Sequence, residues 1–194
     1  GFSQYLYEDE NKDEESKKIY SHLMNESDRL TKLVNELLML SRFDKASHEL
    51  QTEKLNLSEV TAEAVRSLKS KAEAKEIDVE VQLQKEIFID GNKILMTHAI
   101  SNILENAIKY SNKKSSIKIE AFSKENEAVV KVTDHGIGIP KEEIASVQER
   151  FYRANNSNVA SGSGLGLSIC KEIVEKFEGQ LMIESEVKIG TTVT

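Results

Sequence analysis

The sequence has few cysteine, proline and tryptophan residues: its 194 residues include one cysteine, one proline and no tryptophan. A single cysteine, Cys170, excludes an intrachain disulfide framework, and its apolar context LSICKEIV favours a buried small side chain over a reactive thiol. No apolar run approaches the roughly 20 residues that a membrane-spanning helix requires, and the first residues do not have the pattern of a signal peptide. We therefore expect a cytoplasmic segment.

Positive charge is also in short supply. Lys and Arg number 26 against 33 Asp and Glu, which gives a formal charge of −7. Nucleic-acid binders need a surplus of positive side chains on at least one face to neutralise phosphates. The composition therefore argues against a general nucleic-acid partner, although it leaves room for a locally basic site.

The first 50 residues differ from the rest in residue pattern. Between Glu14 and Phe43 there is no glycine or proline, and apolar residues recur at the three-and-four spacing of a long amphipathic helix. The preceding GFSQYLYEDENKDEES suggests the end of another helix and an acidic turn, so we predict an antiparallel hairpin. Because a lone hairpin buries little surface, we expect two chains to pair into a four-helix bundle. Packing against the second domain is the alternative. The apolar positions are Ile19, Leu23, Leu30, Val34, Leu37 and Leu38.

The remaining chain mixes strand and helix patterns. Alternation predicts strands in LQTEKLNL, IDVEVQL, EIFID, SIKIEAF, AVVKVTD, QLMIES and TTVT. Helices are predicted from an N-cap at Ser58 to Lys75, from about Asn92 to Tyr110, near Lys141 to Phe151, and from about Gly166 to Phe177. This order predicts an α+β fold with helices on one face of a mixed sheet. We place the domains at residues 1–50 and 51–194, and the last strand at the closing edge of the sheet.

The predicted helix HAISNILENAIKYS has two contrasting faces. At 100° per residue its apolar side comprises Ala99, Ile100, Ile103, Leu104, Ala107 and Ile108. The opposite side holds Asn102, Glu105, Asn106 and Lys109. Amide oxygens suit a Mg²⁺ ion that reaches the protein through a nucleotide's phosphates, which the Lys109 ammonium would also meet. A merely solvated polar face is the alternative.

A first glycine segment, VVKVTDHGIGIP, follows a predicted strand. Asp134 ends that strand, where its carboxylate can accept a hydrogen bond from an exocyclic amino group. Gly136 and Gly138 allow the backbone to approach a flat ligand closely. Taken alone, the pattern is also explained by a glycine turn before Pro140.

A second glycine segment, ASGSGLGLSI, precedes a predicted helix. Gly162, Gly164 and Gly166 lead into exposed N–H groups that form a ready phosphate site. The segment lacks the Lys-Ser or Lys-Thr of a Walker loop. It also follows a polar loop, whereas the glycines of a Rossmann turn follow a strand.

In this order and spacing, these segments resemble the catalytic ATP-binding domain of sensor histidine kinases, in the superfamily shared with gyrase and MutL. NILENAIKYS resembles the asparagine box, DHGIGIP the first glycine box, ERFYRAN the phenylalanine box, GSGLGLSI the second glycine box and GTT the final glycine-threonine element. The early segment ending LVNELLMLSRFD resembles the second helix of the dimerisation and phosphotransfer domain. The resemblance implies half of a four-helix dimerisation bundle, truncated, followed by an α/β sandwich of Bergerat type.

The resemblance also implies a site for ATP and Mg²⁺. Asp134 would contact the adenine amino group, Thr191 would support Asp134 through its hydroxyl, directly or by water, and Tyr110 would lie against the ring. Phe151 would act as a hinge and anchor of the lid. The further implied nucleotide contacts are Gly136, Gly138, Ile139, Gly162, Gly164, Leu165, Gly166 and Leu167, of which the glycines of the second segment belong to the lid.

The phosphate end of the implied site is polar. Asn106, with Asn102, would serve Mg²⁺, and Lys109 and Arg153 would face the phosphates. Hydrolysing relatives carry a glutamate where this chain has Asn102, and an amide cannot accept the proton of an attacking water. We therefore expect slow intrinsic ATP hydrolysis.

Two positions depart from the family pattern. His135 stands where the family usually has asparagine, and we expect its side chain to point away from the nucleotide. The phosphoacceptor box, a histidine followed by acidic, leucine, basic, threonine and proline residues, does not occur in these 194 residues, and its expected place is immediately before Gly1.

The resemblance accordingly implies a kinase core without its own acceptor histidine, so we assign no catalytic residue within it. Its implied partners are a second copy in a homodimer and the receiver domain of a response regulator. The membrane would be reached only through upstream segments that anchor the full-length protein. A noncatalytic nucleotide-binding and dimerisation module is the alternative.

Overall fold

The computed structural model describes residues 13–44, 51–153 and 163–194. The chain divides into two compact units, Gly1–Ala46 and Ser47–Thr194. Among the described residues, no helix combines the length and the apolar character that crossing a bilayer would need.

Helix α1, Glu14–Asp44, is the described part of the first unit. Asp13 precedes it, and its Oδ1 accepts a hydrogen bond from the Ser16 N–H at 2.7 Å, which lowers the pKa of the Asp13 carboxyl. The long helix predicted here is confirmed. Its six apolar stripe residues are 46–60% exposed. The helix predicted within GFSQYLY lies outside the described residues.

A five-stranded mixed sheet organises the second unit. Its order is β2-β4-β5-β7-β6, with β2 parallel to β4 and the other neighbouring pairs antiparallel. The strands are β2 Asp78–Leu83, β4 Ser116–Lys124, β5 Glu127–Asp134, β6 Ile183–Glu186 and β7 Gly190–Val193. Strands β1 Glu53–Asn56 and β3 Phe88–Gly91 pair separately. The predicted α+β class is confirmed, but the edge position predicted for the last strand is wrong, because β7 lies between β5 and β6.

Three α-helices accompany this sheet: α2 Leu57–Ala74, α3 Lys93–Tyr110 and α4 Gly166–Lys176. Helix α3 packs against α2, α4 and β5. Strand β4 alternates accordingly, because Ile117, Ile119 and Ala121 are at most 1% exposed while the intervening residues keep partial exposure. All six residues of the predicted apolar side of α3 are buried, which confirms that side as core.

Two predictions about helix ends and lengths are wrong. The cap of α2 is Asn56, whose side chain accepts from the Ser58 N–H, whereas the Ser58 hydroxyl donates to the Gln84 carbonyl. The helix predicted near Lys141 to Phe151 is two single 3₁₀ turns, Lys141–Glu143 and Ser146–Gln148. None of the residues in these turns is buried. Without a packed face, so short a segment gains too little to complete an α-helix.

Candidate functional site

Asp134 is an acidic residue on the covered face of the sheet. It pairs with Ile117 on β4 and with Thr191 on β7, and directly paired residues project to the same face. Because Ile117 is fully buried, Asp134 ends an apolar row, and it is itself only 8% exposed. The sequence predicted its position at a strand end but not this degree of burial.

The two carboxylate oxygens of Asp134 have different surroundings. Oδ1 accepts hydrogen bonds from the Gly136 N–H at 2.8 Å and the Thr191 N–H at 3.3 Å. Within residues 51–153 and 163–194, Oδ2 receives no hydrogen bond. Burial raises the pKa of Asp134, and the N–H groups of Gly136 and Thr191, followed by the charge of His135, oppose that rise. Oδ2 is therefore the oxygen with capacity to accept from a ligand.

The loop after Asp134 is pressed against the end of α3. A Cβ on Gly136 would lie 2.4 Å from the Tyr110 carbonyl oxygen, and Gly136 forms a β-bridge with Ser111. The next N–H, of Ile137, donates to the same Tyr110 oxygen at 3.2 Å. This contact brings Tyr110, predicted to lie beside the ring, next to the Asp134 loop.

The same loop contacts the turn between β6 and β7. Gly138 has φ of 68°, and a Cβ there would lie 2.0 Å from the Glu186 carbonyl oxygen. Ile139 donates its N–H to Ser185 Oγ at 2.8 Å. Packing within the protein therefore also explains Gly136 and Gly138, because neighbouring backbone lies close to the loop on both sides.

Thr191 supports Asp134 through a different atom from the one predicted. Its backbone N–H donates to the carboxylate, whereas its hydroxyl lies 2.8 Å from Ser185 Oγ. The direct hydroxyl contact predicted for Thr191 is therefore wrong, whereas support of Asp134 through water stays a prediction. Ser185 was missed, because a serine in a predicted strand carries no sequence signal of its own.

Two asparagines on α3 meet the first residue of α4. Asn102 is 6% exposed and Asn106 is half-buried. A Cβ on Gly166 would lie 3.9 Å from Asn102 Cγ and 4.0 Å from Asn106 Nδ2. Asn102 Nδ2 lies 3.3 Å from His98 Nδ1, one turn earlier. The amides predicted to serve Mg²⁺ therefore lie next to the start of α4, which is predicted to bind phosphate.

The start of α4 is suited to an anionic ligand. Leu165 precedes the helix and makes no side-chain capping hydrogen bond, so the first N–H groups lack that partner. Backbone N–H groups and the positive end of the helix dipole attract phosphate. In the described part of the chain, no cluster of three or more His, Cys, Asp or Glu forms a metal site. A Mg²⁺ ion fits only by combining the neutral amides with the oxygens of a ligand and water.

The C-terminal end of α3 carries the other predicted ligand contacts. Lys109 Nζ lies 4.7 Å from the centre of the Tyr110 ring. Lys75, the residue that follows α2, donates to the carbonyls of Ile108 and Lys109 at 2.9 and 2.6 Å. Burial lowers the pKa of Lys75, and the positive charge of Lys113 adds to the effect. These contacts fix the last turn of α3.

Glu105 belongs to the polar side of α3 but is engaged elsewhere. Its Oε1 lies 2.5 Å from Lys71 Nζ on α2. Its carboxylate therefore helps to hold α2 and α3 together. Its neighbour Asn106, by contrast, faces Gly166.

The second glycine segment is partly described. Gly164 has φ of 73°, and its carbonyl accepts the Phe151 N–H at 2.9 Å. Leu165 is fully buried, so its side chain belongs to the core, and its N–H already donates to Ser163 Oγ at 3.2 Å. Leu167 is half-buried and Arg153 is exposed. Gly162 lies outside the described residues.

His135 is exposed on the other side of the first glycine loop. Its Nδ1 lies 3.0 Å from the Ser116 carbonyl oxygen. The adjacent Asp134 side chain is directed to the covered face of the sheet, because it shares that face with Ile117. A ligand role for the imidazole gains no support from this arrangement.

Comparison with known proteins identifies the class. Residues 91–194 match the histidine kinase-, DNA gyrase B- and HSP90-like ATPases. The signal transduction histidine-protein kinase ArlS of Staphylococcus aureus is 33% identical over 171 residues, which cover 87% of this chain and 38% of ArlS. The mycobacterial sensor histidine kinase MprB has a TM-score of 0.66 and 28% identity, covering 74% of this chain and 94% of that one.

A second solved structure has a similar fold. Histidine kinase ThkA, solved with its response regulator protein TrrA, has a TM-score of 0.73 at 24% identity and covers 100% of this chain and 54% of that one. The chain spans 28–38% of the length of the curated relatives it matches.

The chain belongs to the family of histidine kinase-, DNA gyrase B- and HSP90-like ATPases. The resemblance to sensor histidine kinases drawn from its motifs is confirmed. The matched domain is an ATP-binding domain.

Proposed function

We propose that this chain is the kinase core of a two-component sensor histidine kinase. It binds Mg·ATP in the second unit and presents the γ-phosphoryl group to a histidine on an acceptor box. The observation that carries the proposal is the buried Asp134 carboxylate, one oxygen of which is fixed by two backbone N–H groups while the other remains to accept.

The fixed carboxylate accounts for recognition of adenine. Gly136 and Thr191 hold Oδ1, so Oδ2 is oriented to accept from an exocyclic amino group. Guanine presents a carbonyl at the corresponding ring position, and two acceptors repel each other. Asp134 should therefore favour ATP over GTP. Tyr110 and the backbone of Gly136, Gly138 and Ile139 complete the base end.

The amides and helix start account for the phosphate end. Asn106 and Asn102 supply amide oxygens that suit a hydrated Mg²⁺, which when bound neutralises phosphate charge. The N–H groups of Gly164, Gly166 and Leu167 at the start of α4 donate to phosphate oxygens, whereas that of Leu165 donates to Ser163 Oγ. Lys109 and Arg153 add positive charge there.

Slow hydrolysis follows from the same residues. Asn102 is an amide and cannot take a proton from water, and Glu105 lies beside Lys71. ATP therefore persists until an imidazole attacks in line. Phosphate release measured on the isolated chain should be far slower than that of a dedicated ATPase, and rapid turnover would contradict the role of Asn102.

The partners and location follow from the same proposal. The exposed stripe on α1 pairs with a second copy, since six large apolar residues at 46–60% exposure are costly to leave in water. The phosphohistidine passes its group to an aspartate on a response-regulator receiver domain. The full-length protein is anchored in the membrane, with this segment on its cytoplasmic side.

Transfer in trans tests the proposed activity. The chain is incubated with radiolabelled ATP and a separate domain that carries an intact acceptor box, with Asp134→Asn as the control variant. Label should appear on the acceptor histidine with the wild-type chain and, at ATP concentrations below saturation, at least about ten-fold more slowly with Asp134→Asn. Nucleotide binding without any transfer would instead favour the noncatalytic nucleotide-binding and dimerisation module.

A further inference from the structure

Ser185 lies in a row of three residues that crosses three strands. It pairs with Thr191 between β6 and β7, and Thr191 pairs with Asp134 between β7 and β5. Because directly paired residues share a face, Ser185, Thr191 and Asp134 project to the same side of the sheet. The serine is thus two strands away from the carboxylate that the proposed function assigns to adenine.

The Ser185 hydroxyl uses its full hydrogen-bonding capacity. It donates to the Gly190 carbonyl at 2.9 Å and accepts the Ile139 N–H at 2.8 Å. Its remaining neighbour is Thr191 Oγ1 at 2.8 Å. Since a hydroxyl has one proton and that proton goes to Gly190, the Thr191 hydroxyl is the donor in the third bond.

These three partners belong to the two chain segments that surround Asp134. Thr191 donates its N–H to Asp134 Oδ1. Gly190, with φ of 146°, packs so closely that a Cβ would lie 2.0 Å from the Asp134 carbonyl oxygen. Ile139 ends the loop whose Gly136 N–H also binds Oδ1. One hydroxyl therefore joins the two chain segments that hold the carboxylate.

We propose that Ser185 is a positioning residue of the nucleotide site, which holds the first glycine loop and the start of β7 in the register that directs Asp134 Oδ2 towards the base. This inference rests on the proposed function. Ser185 acts through Asp134 and its N–H donors, not by touching the nucleotide.

The test compares Ser185→Ala with Thr192→Val. Thr192 is the next residue on β7, and its hydroxyl lies 3.2 Å from that of Thr133, outside the Ser185 network. Both variants lose one hydroxyl from the same part of the sheet. Calorimetry with ADP and GDP should show about ten-fold weaker ADP binding and a smaller ADP-to-GDP preference for Ser185→Ala. Thr192→Val should bind both as the wild type does.

A second readout does not depend on nucleotide. The pKa of Asp134, followed by NMR of its carboxyl carbon, should rise further in Ser185→Ala because the opposing N–H groups are less well held. A mere loss of fold stability would leave this pKa and the base preference unchanged. If Ser185→Ala does not fold, Ser185→Cys should move both quantities in the same direction by a smaller amount.

The outcomes distinguish the role of Ser185 from the proposed function of the chain. ADP binding and an Asp134 pKa that are identical in Ser185→Ala, Thr192→Val and the wild type would overturn the role of Ser185 while leaving the proposed function intact. If the wild-type chain binds no ADP, the proposed function fails, and an unchanged pKa would then also remove the positioning role.

Discussion

The two ends of the proposed nucleotide site are built in different ways. At the base end, Asp134 Oδ1 accepts two N–H groups, and the Ser185 hydroxyl bonds one N–H, one carbonyl and one hydroxyl. Gly138 and Gly190 lie close to neighbouring backbone. At the phosphate end, α4 starts without a side-chain cap and Arg153 is exposed. The base end is therefore preformed, whereas the phosphate end offers donors that a ligand would satisfy. The shape of the base end and the charge of the phosphate end should therefore contribute separately to nucleotide binding.

The largest effect expected concerns the preformed end. Gly190→Ala would force a Cβ to within 2.0 Å of the Asp134 carbonyl oxygen in a backbone conformation that alanine rarely adopts. We expect the free energy of unfolding to fall by about 3 kcal/mol, measured by chemical denaturation.

Gly91→Ala is the matched control for that variant. A Cβ there would meet Leu55 Cδ1 at 3.4 Å, an ordinary contact. It should change the unfolding free energy by about 1 kcal/mol or less. If both variants lost the same free energy of unfolding, the close packing of Gly190 against Asp134 would not be the cause of the effect.

A smaller effect should be confined to the phosphate end. Asn106→Ala removes the side-chain amide next to Gly166, and we expect Mg·ATP affinity to fall about ten-fold. Adenosine, which has no phosphate, should bind this variant as well as it binds the wild type. Titration calorimetry with both ligands measures the difference, and an equal loss for adenosine would mean that the two ends are not separable.

The smallest effect expected is the pH dependence of stability. The pKa of Asp134 in the folded protein is raised above its ordinary value of 3.8, chiefly by burial. The folded state therefore holds this proton more tightly than the unfolded state does. The corresponding stability is present below pH 3.8 and is lost as pH rises through the folded pKa.

Asp134→Asn removes this titration and serves as the reference. The unfolding free energy of the wild type relative to Asp134→Asn should decrease with rising pH across that window, in the absence of nucleotide. Denaturation at a series of pH values measures it. A relative stability that increases with pH would contradict the burial of an ionised carboxylate.

Helices α1 and α3 show how far periodicity alone could predict the fold. Both patterns were recognised, and both helices are present. The apolar side of α3 is buried under α2, α4 and β5, whereas the stripe on α1 is exposed. A sequence pattern identifies an amphipathic face but does not say which surface covers it.

The features that were missed depend on contacts between distant segments. Asn56 caps α2 while the Ser58 hydroxyl is drawn to the Gln84 carbonyl, a partner that β2 brings near. Ser185 acquires its role only when β6 pairs with β7. The 3₁₀ turns after Pro140 replace a predicted helix because no residue of theirs is buried. The sequence placed Thr191 in a motif, but it could not show that the Thr191 backbone N–H is the group that contacts Asp134.

The most direct measurement is calorimetric titration of Mg·ADP into the wild-type chain and Asp134→Asn. In the variant, the amide oxygen must accept the N–H groups of Gly136 and Thr191, which leaves an NH₂ donor facing the adenine amino group. The wild type should bind, and the variant should keep its fold but bind at least about ten-fold more weakly. Equal affinities in the two proteins would contradict the assignment of Asp134 to the base.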